Sequence, residues 1–159
     1  MIKQGDKVPA TTLRKMNTEG MREISTQELC SGKRVVLFAV PGAFTPTCSA
    51  RHLPGFIEKA AEIKRKGVDQ IVCLSVNDPF VMHEWGRVQK VPEDVELLSD
   101  GNAEFTKAVG LSFEAANYGM GTRSQRYAMI IRDGVVEALF VELPGQFEVS
   151  SAEYILAKL

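Results

Sequence analysis

Residues 35–49 read VVLFAVPGAFTPTCS, and this stretch decides the fold because an apolar strand runs through a turn into a helix. The six apolar residues 35–40 are typical of a strand that is buried on both faces of a sheet. Thr45 is a favoured N-cap residue and Pro46 fits the first helical position, so we expect the helix to begin there. The stretch therefore predicts the start of a β-α-β unit.

Cys48 occupies the first turn of this predicted helix. There the backbone N–H groups lack intrahelical acceptors and the helix dipole is positive, so a thiolate is favoured over a thiol. The alternative, a buried cysteine that acts as a small hydrophobic residue, is more typical of strands and helix interiors. We therefore predict that Cys48 is a reactive sulfur at the carboxyl end of a central strand, where α/β sheets usually bind ligands.

The segments on either side of this stretch alternate between strand and helix patterns. Apolar residues at three- and four-residue spacing after Cys48 predict a helix that ends at Gly67, and Pro54 is expected to bend it. The dipeptide Asp133-Gly134 between two apolar runs is a strong hairpin signal. The other predicted strands are 11–16 and 21–24 (an N-terminal hairpin), 71–76, 95–98, 127–132 and 135–143. Four other helices are predicted. One begins at Ser25, one begins at Asp78, one spans residues 103–109, and the last, capped by Ser150 and Glu153, ends the chain.

This order predicts a single α/β domain over residues 1–159, with a central mixed β-sheet flanked by helices and an N-terminal β-hairpin extension. A net charge of −1 argues against nucleic-acid binding. No apolar run approaches the roughly 18 residues of a membrane span, and the N-terminus lacks the apolar core of a signal peptide. The three cysteines are therefore expected to be reduced thiols, and the expected compartment is the cytoplasm.

The other two cysteines carry weaker signals. Cys73 lies between apolar neighbours within a predicted strand, so we expect a buried, inert thiol, with a redox partner as the alternative. Cys30 lies at the end of a short predicted helix, where we expect it to be exposed and to have no catalytic role.

A reactive thiolate also needs a donor that stabilises the charge developing during reaction, and the planar fork of an arginine suits this task. The candidates are Arg51, Arg123, Arg126 and Arg132. Spacing alone does not choose among them. His52 lies four residues after Cys48 on the same helix face. It could bond to nearby backbone or tune the sulfur, but we expect a neutral, partly buried histidine.

Five segments of the chain match the motifs of a known family. They are VPGAFTPTCS (residues 40–49), HLPGF (52–56), CLSVNDPFV (73–81), EWG (84–86) and TRSQRYA (122–128). Together they resemble the peroxiredoxins, in particular the type-II, or fifth, subfamily, and the similarity runs from about Val8 to the C-terminus. The resemblance implies a thioredoxin-like fold. It also implies thiol-dependent reduction of hydrogen peroxide and alkyl hydroperoxides without a metal, haem, flavin or other cofactor.

The resemblance further implies a role for four residues. Cys48 would be the peroxidatic cysteine, which the peroxide converts to a sulfenic acid. Thr45 would place its hydroxyl toward the peroxide and the thiolate, and Pro41 would shield the sulfur from water. Arg126 would hold the thiolate and polarise the departing oxygen, which selects it among the four arginines.

The chain departs from part of this subfamily in the second half of the reaction. Some relatives carry a resolving cysteine near the C-terminus, whereas this chain has Ser150 and Ser151 in that region. The resemblance therefore implies a one-cysteine cycle resolved by an external thiol, either glutathione with glutaredoxin or thioredoxin. Relatives commonly form homodimers, and Phe44, Phe80 and Trp85 are candidates for such an interface.

Two other functions are alternatives to a peroxidase. A thioredoxin-type disulfide reductase uses Cys-x-x-Cys, and here Thr45 occupies the first position. A redox-sensing module or a holdase chaperone would use the same fold without peroxide turnover. The chaperone would need an exposed apolar patch.

Overall fold

The computed structural model describes all 159 residues, Met1–Leu159. The strands are β1 (Thr12–Asn17), β2 (Gly20–Ser25), β3 (Arg34–Val40), β4 (Gln70–Ser75), β5 (Val95–Ser99), β6 (Ser112–Glu114), β7 (Thr122–Ser124), β8 (Tyr127–Arg132) and β9 (Val135–Val141). The α-helices are α1 (Thr26–Cys30), α2 (Leu53–Arg65), α3 (Pro79–Gln89), α4 (Glu104–Ala108) and α5 (Ala152–Lys158). A π-helix spans Cys48–His52, and a 3-10 helix spans Ala116–Tyr118. No helix is both long enough and apolar enough to span a membrane.

Seven strands form one sheet in the order β2-β1-β5-β4-β3-β8-β9, and β6 pairs with β7 in a separate small sheet. The central pairs β3–β4 and β4–β5 are parallel, whereas the pairs toward both edges are antiparallel. The predicted central mixed sheet with its N-terminal hairpin is confirmed. The small sheet is not predicted from the sequence, because strands of three residues carry too little periodicity.

Strand β3 is the centre of the fold because its side chains are buried on both faces. Val36 and Phe38 belong to the core layer formed with α2, α3 and α5. Val35 and Leu37 belong to the opposite layer, formed with α1 and α4. None of the four is more than 1% exposed, and each such side chain contributes roughly 1.5–3 kcal/mol by its burial. The end of β3, from which the Cys48 loop departs, is therefore held rigidly.

The local signals at three turns and caps are confirmed. The Ser25 hydroxyl accepts from the Glu28 N–H at 3.0 Å, and the Asp78 carboxylate accepts from the Val81 N–H at 2.8 Å. Asp133 and its neighbouring glycine both have positive φ (48° and 78°), as the tight turn between β8 and β9 requires.

The helix that carries Cys48 begins at Pro46 as predicted, but its first turns are not regular. Over Cys48–His52 it winds as a π-helix, in which the Leu53 N–H donates to the Cys48 carbonyl. Pro54 follows in the first turn of α2. Because proline has no N–H for a regular helical bond to the carbonyl four residues earlier, the bend predicted at Pro54 takes the form of this wider turn.

Outside the active site, three expectations from the sequence are wrong. Ser151, not Ser150, caps α5, and its hydroxyl accepts from the Tyr154 N–H at 3.1 Å. Cys30 is only 2% exposed, because α1 packs that side chain into the core instead of presenting it to solvent. Trp85 is fully buried among the residues beneath α2, so it is not available for an interface between subunits.

Candidate active site

Hydrogen bonds hold the loop that leads from β3 to the helix against the end of the neighbouring strand β4. The Ala43 N–H donates to the side-chain oxygen of Asn77 at 2.9 Å. The hydroxyl of Ser75 donates to the same Asn77 oxygen at 2.5 Å and lies 3.2 Å from the Val40 carbonyl. Because β3 and β4 are parallel and adjacent, their carboxyl ends meet, and these bonds fix the loop relative to the sheet.

Cys48 lies in the first turn of the helix, and its side chain has no exposed surface. Arg126 Nη2 donates to Cys48 Sγ at 3.3 Å, across the boundary between the helix and the turn before β8. The Cys48 N–H makes no hydrogen bond within the protein, so it adds a free donor at the positive end of the helix. The sulfur thus lies beside a cationic hydrogen-bond donor and the positive end of the helix.

Arg126 is held in this position by a chain of hydrogen bonds. Its Nη1 lies 2.8 Å from Nδ1 of His52, and Nε2 of the same ring lies 2.9 Å from the Ser150 carbonyl. The Ser150 N–H and hydroxyl both donate to one carboxylate oxygen of Glu142, at 2.9 and 2.6 Å. The C-terminal segment before α5 is thus connected to the sulfur through His52 and Arg126.

His52 is fully buried, whereas a partly buried ring is expected from the sequence. Its burial and the neighbouring Arg126 guanidinium lower the pKa of the imidazole to about 3, although the Ser150 carbonyl opposes the shift. The ring is therefore neutral at physiological pH, as the sequence predicts.

The other three candidate arginines make their contacts with groups other than the sulfur. Arg123 Nε donates to the Met120 carbonyl at 2.9 Å. Arg51 lies over the ring of Phe147, with 4.7 Å between its Cζ atom and the ring centroid. The exposed Arg132 pairs with a glutamate of β9 at 3.2 Å. Of the four, Arg126 alone has a hydrogen bond to Cys48 Sγ.

Thr45 does not cap the helix as the sequence predicts. Its hydroxyl donates to the Gly42 carbonyl at 2.6 Å, inside the turn, and so is not turned toward the helix N–H groups. It makes no hydrogen bond with Cys48 Sγ. The bond to Gly42 closes the turn that carries Pro41, and the two lone pairs of the hydroxyl oxygen stay free to accept.

A cavity of about 800 Å³ lies beside the sulfur. Thr47 and Arg126, the sequence neighbour and the hydrogen-bond partner of Cys48, line it together with Pro41 and Phe147. Cys48 itself has no exposed surface and does not line the cavity, whereas Arg126 both lines it and contacts the sulfur. The cavity is large enough for molecules much bigger than hydrogen peroxide.

All three cysteines are free thiols. Cys73 is fully buried in β4, as expected, and this burial together with the nearby Cys48 raises the pKa of its thiol well above the usual range. Burial also raises the pKa of the Cys30 thiol, to about 11. Both are therefore poor nucleophiles near neutral pH. No group of three or more His, Cys, Asp or Glu side chains is arranged to hold a metal ion.

The sequence interpretation misses three residues that support the site: Asn77, Glu142 and Ser150. Each acts on a partner that is distant in sequence or reached through the backbone, so periodicity and capping patterns do not reveal it. The signal available for Glu142 is its position as a lone carboxylate in the apolar run LFVEL (residues 139–143). Such a carboxylate must find hydrogen-bond donors if it is buried, as Glu142 is at 8% exposure.

Comparison with known proteins gives matches over nearly the whole chain. Residues 3–156 match the family model described as Redoxin. The chain is 47% identical to Peroxiredoxin-2B of Arabidopsis thaliana over 159 residues, which cover 99% of this chain and 98% of that protein. It is 50% identical to Peroxiredoxin-2E-2, chloroplastic, of Oryza sativa subsp. japonica over 163 residues, covering 99% of this chain and 72% of that one. Reduced Prx3 of Vibrio vulnificus, solved in complex with hydrogen peroxide, has a TM-score of 0.96 and 56% identity, with 99% of each chain covered.

Proposed function

Because the chain belongs to the redoxin family and, within it, to the type-II peroxiredoxins, we propose that Cys48 is its peroxidatic cysteine. The protein is a thiol peroxidase with an antioxidant function and a thioredoxin-like fold. The observation that supports the choice of sulfur is the 3.3 Å contact between Arg126 Nη2 and Cys48 Sγ at the start of a helix. Cys73 and Cys30 have no such donor.

The first step is a displacement at oxygen. A lone pair of the Cys48 thiolate attacks the terminal oxygen of the peroxide, so that an S–O bond forms while the O–O bond breaks. The sulfur is oxidised to a sulfenic acid, and the departing oxygen takes a proton and leaves as water or an alcohol. Arg126 and the free Cys48 N–H stabilise the charge as it moves from sulfur to oxygen.

Thr45 and Pro41 orient the peroxide in this proposal. The Thr45 hydroxyl keeps its bond to Gly42 and accepts a hydrogen bond from the peroxide O–H through a free lone pair. Pro41 lines the cavity next to the sulfur and limits the access of water. Together they hold the peroxide in line with the sulfur, which is the geometry that the displacement requires.

The sulfenic acid is resolved by an external thiol. That thiol condenses with the Cys48 sulfenic acid to a mixed disulfide and water, and a second thiol then releases Cys48 in its reduced form. Burial and a raised pKa make Cys73 and Cys30 unsuitable for this step. We propose glutathione with glutaredoxin, or thioredoxin, as the reductant in the cytoplasm, with hydrogen peroxide and alkyl hydroperoxides as substrates.

We also propose that residues 1–159 act as one domain and that the functional unit is a homodimer. Phe44 and Phe80 support the dimer, because both are large apolar side chains at least half exposed, at 50% and 60%. Phe44 lies in the same loop as Pro41, so such an interface would border the active site. Light scattering should give the mass of two chains, and a mass of one chain at micromolar concentration would overturn the homodimer.

The experiment that tests the proposed function is peroxide turnover with the glutaredoxin and thioredoxin systems supplied separately. We expect turnover in at least one system, and complete loss of it in Cys48→Ser. Cys30→Ser and Cys73→Ala are the matched controls and should keep most of the activity. Full activity in Cys48→Ser would refute the assignment of the sulfur.

A further inference from the structure

We propose that His52 is a positioning residue of the peroxidase reaction: its ring, fixed as one neutral tautomer, holds the Arg126 guanidinium against the Cys48 sulfur. The inference rests on the proposed function, since it assumes that Arg126 stabilises the reacting sulfur. It goes further because it assigns a role to a side chain whose two hydrogen bonds go to Arg126 and Ser150 and not to the sulfur.

The two partners of His52 determine its tautomer. The Ser150 carbonyl only accepts hydrogen bonds, so Nε2, 2.9 Å away, carries the proton. The Arg126 guanidinium only donates, so Nδ1, at 2.8 Å from Nη1, presents its lone pair. In the opposite tautomer, the Nδ1–H would face an N–H of Arg126, and the lone pair of Nε2 would face the lone pairs of the Ser150 carbonyl oxygen. Both contacts would be repulsive. An imidazolium would add a second positive charge beside the guanidinium.

The surroundings of the ring contain no competing partner. Phe38, Phe56 and Phe147 pack around it, with ring centroids 4.9, 5.7 and 5.0 Å from the imidazole centroid. Arg126 is the one charged group that bonds to it. Arg51 lies on the Phe147 ring, and the Glu142 carboxylate reaches His52 only through Ser150. The tautomer of the ring is therefore determined by two atoms, the Ser150 carbonyl oxygen and Arg126 Nη1.

The anchor behind the ring is itself immobilised. The segment between β9 and α5 folds back onto Glu142, whose carboxylate oxygen accepts from the Glu148 N–H at 2.7 Å and from Ser150 at two atoms. Backbone bonding joins the same region to Arg126, because the Glu142 N–H donates to the Arg126 carbonyl at 3.0 Å. Glu142 thus fixes both the carbonyl that orients His52 and the backbone of the arginine.

The consequence for the reaction follows from the geometry of the arginine fork. Nη1 is occupied by His52 and Nη2 by the sulfur, so the guanidinium plane is set by two contacts instead of one. Without the acceptor at Nδ1, the long Arg126 side chain is free to rotate. The guanidinium is then aligned with the sulfur only part of the time, which slows the reaction. Misplacement of a catalytic group by about 1 Å costs up to roughly 100-fold in rate.

The test measures the rate constant for oxidation of Cys48 by hydrogen peroxide in stopped flow. Trp85 is the chain's one tryptophan, and its indole N–H donates to Ser49 Oγ next to Cys48, so we expect its fluorescence to change when Cys48 is oxidised. We expect His52→Leu to slow oxidation roughly 10-fold or more. His52→Gln should restore most of the rate, because its amide offers a donor and an acceptor at a similar spacing. His83→Leu, at the other and exposed histidine, is the matched control and should leave the rate unchanged.

A double variant shows whether His52 acts through Arg126. His52→Leu should add no further loss to Arg126→Ala if the ring only positions the guanidinium. Independent, multiplying losses would overturn the inference, and so would wild-type oxidation by folded His52→Leu. If Arg126→Ala is slow while His52→Leu is normal, the inference fails and the proposed function stands. If Arg126→Ala itself is normal, the role of the arginine fails and the inference fails with it.

The tautomer is read directly in the wild-type protein, which covers the case in which His52→Leu does not fold. Nitrogen-15 NMR of labelled histidine should show His52 protonated at Nε2 and bare at Nδ1 from pH 5 to pH 9. The His83→Leu variant assigns the two rings. A proton on Nδ1, or an imidazolium near neutral pH, would contradict the inference.

Discussion

Arg126 divides its guanidinium between two partners, and this division explains why an arginine is needed at this position. Nη2 reaches Cys48 Sγ and Nη1 reaches His52 Nδ1, whereas lysine offers a single charged nitrogen. The sequence predicts the reactive sulfur from its position at a helix start, but it leaves four arginines open. The resemblance to the peroxiredoxins points to Arg126, and the structure shows its contact with the sulfur. The distance that decides between the arginines depends on the turn before β8, which no local pattern encodes.

Arg126→Ala should slow oxidation of Cys48 by roughly 100-fold or more, because it removes the preorganised donor from the sulfur that we propose to react. Arg126→Lys should fall between the alanine variant and the wild type. Arg123→Ala is the matched control, since Arg123 donates to a backbone carbonyl and not to the sulfur. Stopped-flow oxidation by hydrogen peroxide measures all three, with circular dichroism as the check on folding. A damaging Arg123→Ala beside a harmless Arg126→Ala would show that the wrong arginine has been chosen.

At the scale of elements, the parts that sequence predicts well are those whose signals are local. The strand at 35–40, the caps at Ser25 and Asp78, and the Asp133-Gly134 turn are each encoded within a few residues. The loop between β3 and the helix is different, because Asn77 of a later segment holds it. Contacts between segments far apart in sequence fix such loops, so capping rules alone place the Thr45 hydroxyl wrongly.

Asn77→Ala should weaken the loop that carries Pro41, because the buried Ala43 N–H loses its acceptor. We expect a stability loss of about 1–3 kcal/mol in urea unfolding. We also expect oxidation of Cys48 to become several-fold slower, since Pro41 and Thr45 lose their fixed position. Asn102→Ala, at an exposed position, is the control and should match the wild type in both measurements. An Asn77→Ala enzyme with wild-type oxidation kinetics would show that this bond does not position the loop.

At the scale of the whole molecule, the buried neutral His52 links the active site to global stability. In the unfolded chain a histidine is protonated below about pH 6.5, whereas the pKa of His52 in the folded protein is lowered to about 3. Between these values the unfolded state binds one more proton than the native state, so the free energy of unfolding falls as the pH decreases. Burial of a neutral His52 therefore makes the free energy of unfolding decrease more steeply with acid than the surface charges alone would.

The contribution of His52 should amount to about 2 kcal/mol of lost stability between pH 7 and pH 5. Urea unfolding at both pH values measures it as the difference between the wild type and His52→Gln, which does not titrate. His83→Gln is the control. It should still show the loss of unfolding free energy between pH 7 and pH 5 that comes from His52. Stability curves of the wild type and His52→Gln that run parallel across this range would refute the buried, neutral state of the ring.

Mass spectrometric mapping of the reduced protein after one equivalent of hydrogen peroxide shows which sulfur the peroxide oxidises. We predict that one oxygen atom is found on the peptide containing Cys48, that a dithiol removes it, and that the Cys30 and Cys73 peptides are unmodified. An oxygen atom carried first by Cys30 or Cys73, with Cys48 still a free thiol, would show that Cys48 is not the peroxidatic cysteine.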